Sequence, residues 1–161
     1  MKKVLISACL LGERVRYDGS ILKFNDATLA QWVDDNRVVS TCPEVNGGLS
    51  VPRPAAEISH ASAMAVLAGS AKVMDISGAD VSPNFLDGAR CTLEMARLQG
   101  ITVAVLKDGS PSCGSTYVYD GSFSGARIPG CGVTVALLRQ NGISVFNENQ
   151  FELAAVCHTG R

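Results

Sequence analysis

The sequence predicts an α/β fold: a single domain, residues 1–161, with a mainly parallel β-sheet flanked by helices. Three observations carry this. Continuous β-branched and apolar runs such as "VLIS" at 4–7 and "ITVAVL" at 101–106 have the pattern of strands buried on both faces. Amphipathic helical segments lie between such runs. Strands alternating with helices call for a parallel sheet covered on two sides.

The elements follow in order. Val4–Ser7 reads as the first strand. Residues 25–36 carry Leu29, Trp32 and Val33 at helical spacing. Residues 37–42, "RVVSTC", read as a second strand. Three prolines and two adjacent glycines make 42–58 a loop without a long regular element. Residues 71–76 are a further strand or an edge piece. The clearest helix spans 82–99: Ser82 is placed to cap it and Pro83 to open it. Phe85, Ala89, Leu93 and Ala96 form its apolar stripe, Asp87, Arg90, Glu94 and Arg97 its polar face, and Gly100 stops it. Residues 101–107 read as a central strand, 133–142 as a helix and 143–147 as a last strand. Asn147 and Gln150 form a capping pair for the final helix. Trp32 and the apolar helix faces belong to the core. Cys91, with Met95 and Leu98 at i+4 and i+7, reads as core packing, as does Cys157. His60 and His158 are isolated.

Composition narrows the function. The chain has 161 residues, 47% of them hydrophobic, and a net charge of −1. No long basic run offers a phosphate-neutralising surface, so no nucleic-acid partner is expected. No segment approaches the roughly 18–20 apolar residues of a membrane span. The N-terminal apolar run is short and lacks a small-residue cleavage site, so a cytoplasmic location is expected. Six cysteines in a reducing compartment are core filler, nucleophiles or metal ligands rather than a disulfide framework.

Three of these cysteines recur in one setting. Cys9 follows "VLISA", Cys42 follows "VVST", and Cys113 follows the strand at 101–107 in the turn "SPSCG". In open α/β sheets ligands bind in the crevice at the carboxyl ends of the strands, so adjacent strands would bring all three thiols to one place. Each loop carries Gly or Pro suited to close approach. Zinc takes three protein ligands plus water, but neither histidine lies in a Cys-rich loop, and all-sulfur ligation favours an iron–sulfur cluster. Buried core thiols are the competing reading, and the spacing contains no CxxC pair to decide between them. A thiol-phosphatase or arsenate-reductase loop is disfavoured. That plan needs C-x5-R, whereas Arg14 gives C-x4-R and Arg16 gives C-x6-R.

Five segments occur together in one order: "SACLLG" at 7–12, "RYDG" at 16–19, "CPEVNGGLSVPRPAAEI" at 42–58, "SPSCG" at 110–114 and "GCGVTVALLRQNGI" at 130–143. As a set they resemble the bacterial thiouracil desulfidase family over nearly the whole chain. The resemblance implies a 4Fe-4S cluster held by Cys9, Cys42 and Cys113, with one iron left open for a thiocarbonyl sulfur. It implies non-redox, hydrolytic release of sulfide from 2-thiouracil or a related thiolated base. It implies roles at the substrate for Glu44 and Ser110, Glu44 assisting water attack. Cys131, in the middle of the G-x-G turn, is not in the implied ligand set. Asn46, Arg53 and Ser112 stand in the same loops as substrate-binding candidates, with Tyr17 and Asp18 in a similar position in the first loop. The expected partners are a small thiolated base and the iron–sulfur assembly machinery, and the cluster is expected to be oxygen-sensitive. Two readings compete: a metal-free thiol or persulfide sulfur-transfer enzyme, and a non-catalytic iron–sulfur sensor.

Overall fold

The computed structural model describes residues 1–159. Its elements are β1 (Val4–Ser7), α1 (Ala27–Asp34), β2 (Val38–Thr41), α2 (Pro43–Asn46), β3 (Ala56–Ile58), α3 (Ala63–Leu67), β4 (Val73–Asp75), α4 (Ser82–Leu98), β5 (Val103–Val105), β6 (Tyr117–Tyr119), β7 (Arg127–Pro129), α5 (Val133–Gln140), β8 (Ser144–Phe146) and α6 (Phe151–Thr159). Strands β2, β1, β5 and β8 form a parallel sheet in that spatial order. Two antiparallel pairs, β3–β4 and β6–β7, stand beside it.

Alternation along β1 builds two core layers. Val4 and Ile6 pack with Leu29, Trp32, Phe151 and Ala154 from α1 and α6. Leu5 packs on the opposite face with Leu93, Ala96, Val135 and Leu138 from α4 and α5. Successive strand residues point to opposite faces, so a run apolar throughout needs helices on both sides. β1 has β2 on one side and β5 on the other. The chain therefore leaves the carboxyl end of the sheet in opposite directions beside β1, which is where this architecture opens a ligand crevice.

Most elements follow the sequence expectations, and four details differ. Val33 is 49% exposed: α1 is only eight residues long and turns Leu29 and Trp32 inward. Cys91 is exposed and Leu98 is 78% exposed, because the buried stripe of α4 runs through Phe85, Ala89, Leu93 and Ala96. Only Met95 of that proposed trio packs against the core. Ser82 does not cap α4; its hydroxyl accepts the Val73 N–H at 2.8 Å and ties α4 to β4, while Asp80 takes the Ser82 N–H. The Asn147–Gln150 pair forms, with Gln150 Oε1 accepting the Asn147 N–H at 2.9 Å.

Candidate functional site

Each of the three strand-end cysteines is delivered by a local turn. After β1 the chain enters a 3-10 turn, Ala8–Leu11, closed by Gly12 at φ +84. This carries Cys9 over the end of the sheet. Cys42 directly follows β2 and is the N-cap residue of α2, whose first position is Pro43. Beyond β5, Gly114 N–H donates to the Ser110 carbonyl at 2.9 Å and closes the turn that holds Cys113. Because β2, β1 and β5 are neighbours, all three cysteines line one cavity of about 390 Å³.

Cys113 is buried, Cys9 and Cys42 are half-buried, and the three are close enough to repel one another as thiolates. Burial pushes the Cys9 thiol up to about 11, with Cys42 adding to the rise and Arg16 and Lys107 opposing it. Burial likewise raises Cys42, against backbone N–H donors of α2. Cys113, the deepest, is raised by burial and then by Glu44, Cys42 and Cys9. A reactive cysteine nucleophile sits in a setting that lowers its pKa, and none of the three does. Among the described residues, no group of three or more His, Cys, Asp or Glu side chains is arranged to hold a single metal ion. A zinc ion needs its donors to converge on one centre. A multi-iron cluster instead presents a separate iron to each thiolate, so its ligands surround a volume. Three soft donors around a cavity with no histidine in its lining fit a cluster better than an ion.

Glu44 and Arg53 line the same cavity. Arg53 is only 9% exposed; Nη1 donates to Ser50 O at 3.1 Å and Nη2 to Val15 O at 3.0 Å. Its Nε lies 3.5 Å from Glu44 Oε1, an ion pair without a hydrogen bond, since Nε has no hydrogen-bond partner. Burial raises the Glu44 carboxyl above its ordinary value, and Arg53 only partly offsets this. The result is a carboxylate beside Cys113 with a raised proton affinity.

The "SPSCG" turn divides the labour between its two serines. Ser110 Oγ accepts the Cys113 N–H at 2.7 Å and the Ser112 N–H at 3.2 Å. Ser110 lines the cavity, and with its oxygen so engaged its own proton is left to donate. Ser112 is placed differently. It is 1% exposed, is not in the cavity lining, and its hydroxyl meets Thr134 Oγ1 at 2.7 Å. The carbonyls of Pro111 and Ser112 accept the first N–H groups of α5, so this turn caps a helix that would otherwise leave those donors unpaired. Gly132 is required by the contact: a Cβ there would lie 2.3 Å from the Ser112 carbonyl carbon.

Asn46 is also not in the lining; α2 turns its amide back to donate to Thr41 Oγ1 at 3.0 Å. Tyr17 lines the cavity, whereas Asp18 binds Ser20 in its own loop. Cys131 packs between two core clusters, away from the lining.

Three site residues were missed from the sequence. Asp108 accepts N–H groups of Gly109, Ser115 and Thr116 on Oδ1, and the Thr116 hydroxyl and Asn147 amide on Oδ2. Burial opposes its charge, but the hydrogen bonds from Thr116, Ser115 and Asn147 outweigh that and hold it below the usual carboxylate range. Its signal was an acid in "KDGSPSC", directly at the strand end. Lys107 lines the cavity and pairs with Glu148 at 2.9 Å. Glu57, inside the "AAEI" segment, also lines the cavity.

Comparison with known proteins adds to this geometry. Residues 4–150 match the family model described as 2-thiouracil desulfurase. The chain is 43% identical over 147 residues to the uncharacterized protein YbbK of Bacillus subtilis (strain 168), covering 91% of this chain and 96% of that one. A solved structure of the 4Fe-4S-dependent thiouracil desulfidase TudS superposes with a TM-score of 0.91 at 41% identity, covering all of both chains.

Proposed function

The chain belongs to the 2-thiouracil desulfurase family, and on that premise we propose that it hydrolyses the C–S bond of a thiolated uracil with a 4Fe-4S cluster held by Cys9, Cys42 and Cys113. The observation that carries this reading is the arrival of three thiols, from three adjacent parallel strands, at one cavity that also holds Glu44.

A cluster with one iron free of protein ligands would supply a Lewis acid with affinity for sulfur. The rest falls to the chain. Thiouracil and water give uracil and hydrogen sulfide, so the water must lose a proton as its oxygen bonds to carbon. Glu44 receives that proton. Its raised affinity suits a general base, and the ion pair with Arg53 keeps the carboxylate turned into the cavity. Arg53 thus acts as a positioning residue for Glu44 rather than as a direct contact to substrate. Ser110 donates a hydrogen bond, without giving up its proton, to an acceptor on the substrate or leaving sulfur, and the proton taken up by Glu44 returns to the departing sulfide. The shell of backbone bonds around Asp108 holds the Cys113 turn rigid while this happens.

Burial raises all three thiols, which speaks against a metal-free thiol or persulfide mechanism. A buried acid poised beside the site speaks for turnover against a sensor. The test is iron and acid-labile sulfide per chain after anaerobic reconstitution, followed by uracil formation from 2-thiouracil. About four of each per chain are expected, the content of one 4Fe-4S cluster. Serine at Cys9, Cys42 or Cys113 should abolish loading, while Cys131→Ser should load normally. A chain that takes up no iron, or that loads equally well without Cys113, would overturn the proposal.

A further inference from the structure

Glu57 sits on β3, is 9% exposed and lines the cavity. Its Oε1 accepts the N–H groups of Gly121 at 2.8 Å and Phe123 at 3.2 Å. Its Oε2 accepts no hydrogen bond and pairs with no cation among the described residues. In a residue that lines the cavity, this leaves one carboxylate oxygen open to a donor from a bound molecule.

The wall around it is rigid. The segment joining β6 and β7 is laid on β3 so closely that a Cβ at Gly121 would stand 2.6 Å from Ile58 O and 2.7 Å from His60 N. Strand alternation sets Tyr117 and Tyr119 on one side of β6, with Val118 buried on the other, and both tyrosines line the cavity. Arg127 stacks on Tyr117 at 4.3 Å and the two rings meet edge-on, which fixes their orientation. Two aromatic rings and an open carboxylate oxygen line the same cavity.

The other cavity carboxylates are engaged. Both oxygens of Asp108 accept hydrogen bonds, and Glu44 is held by Arg53. We infer that Glu57 is a specificity-determining residue: its Oε2 accepts a ring N–H of a pyrimidine base that packs against the tyrosines of β6. The inference rests on the thiolated-uracil reading for the identity of the base. It does not depend on the cluster, because uracil carries the same ring N–H donors without the sulfur. A site built to pair a donor rejects an analogue that lacks it.

The experiment is a calorimetric titration of the full chain with uracil, 1-methyluracil and 3-methyluracil. The wild type should bind uracil and discriminate against one of the two methylated bases, whose N–H is gone. Glu57→Gln keeps an oxygen for the Gly121 and Phe123 donors but places an amide where Oε2 accepted. It should weaken uracil about 10- to 100-fold, the range for a hydrogen bond to a charged group, and erase the discrimination. The methyluracil comparison on the wild type serves even if the variant folds poorly. Equal uracil affinity in Glu57→Gln, equal affinity of the wild type for all three bases, or no uracil binding at millimolar concentration would each overturn the inference. Uracil binding that behaves as expected alongside absent thiouracil turnover would instead count against the desulfurising reading alone.

Discussion

Gly88 of α4 presses against Pro43 of α2 so tightly that a Cβ on Gly88 would sit 2.0 Å from the Pro43 carbonyl oxygen. The contact is reciprocal, since a Cβ on Gly47 would lie 1.9 Å from Asn84 O, and Asn84 Nδ2 donates to Gly47 O at 2.9 Å. The turn that carries Cys42 and Glu44 is therefore seated backbone to backbone on the longest helix. Gly88→Ala should cost about 2–3 kcal/mol, at the upper end for overpacking. It should also lower iron loading, because the helix can relieve the clash only by moving the Cys42 turn. Thermal melting and iron content check this; a variant as stable and as well loaded as the wild type would refute it.

Ser112 and Thr134 share a buried hydroxyl contact at 2.7 Å. Ser112→Ala should destabilise by about 1–3 kcal/mol by leaving the threonine hydroxyl unpaired. The KM for thiouracil should not change. A raised KM with unchanged stability would restore Ser112 to the substrate site.

For Glu44 the two consequences of substitution run in opposite directions. Glu44→Gln should reduce turnover about 10²- to 10⁴-fold while leaving cluster absorbance intact. Its folded-state proton affinity is raised above the ordinary value of 4.5, so the ionised form is the disfavoured one in the fold. The wild type is thus relatively most stable below 4.5 and loses ground as pH rises through the folded value. The uncharged variant does not. Melting temperatures compared at about pH 4.5 and about pH 7.5 should shift in favour of the glutamine form at the higher pH. A shift the other way would mean that Arg53 dominates over burial.

Asp108 has the reverse sign. Its affinity is lowered below the ordinary 3.8, so its contribution is present above 3.8 and disappears as pH falls through the folded value. Asp108→Asn should cost about 2 kcal/mol near neutrality by replacing a charged acceptor of the Thr116 hydroxyl and Asn147 amide. The gap from the wild type should close under acid. A gap constant with pH would assign the loss to shape rather than charge.

The sheet and the three thiols were legible because both are written in short range. A β-branched run ending in a Cys-bearing turn needs no tertiary knowledge to notice. The missed residues are those whose role is made by distant partners. Asp108 matters through Ser115, Thr116 and Asn147, and Glu57 through Gly121 and Phe123. The β6–β7 pair is only three residues per strand, and Arg127–Pro129 is exposed throughout, so it has no buried face to mark it as a strand. Cys91 was misplaced because a residue two positions from the buried Ala89 lands on the opposite side of a helix, and spacing to Met95 alone did not fix which side was inside. Ser82 had the right chemistry for a cap but found a better acceptor role with β4.

The central position of β1 has a consequence for how the protein matures. Ser7 Oγ receives the Lys107 N–H from a residue 100 positions away, and β1 pairs with β5 before the third cysteine can face the first two. Cysteines that sit close together in sequence can gather metal while a chain is still being synthesised. Here the ribosome must release most of the polypeptide, and the slow, long-range pairing of the sheet must be complete, before the three thiols are neighbours. A cluster held by these three thiols, as proposed above, would have to be received by a chain that has already folded.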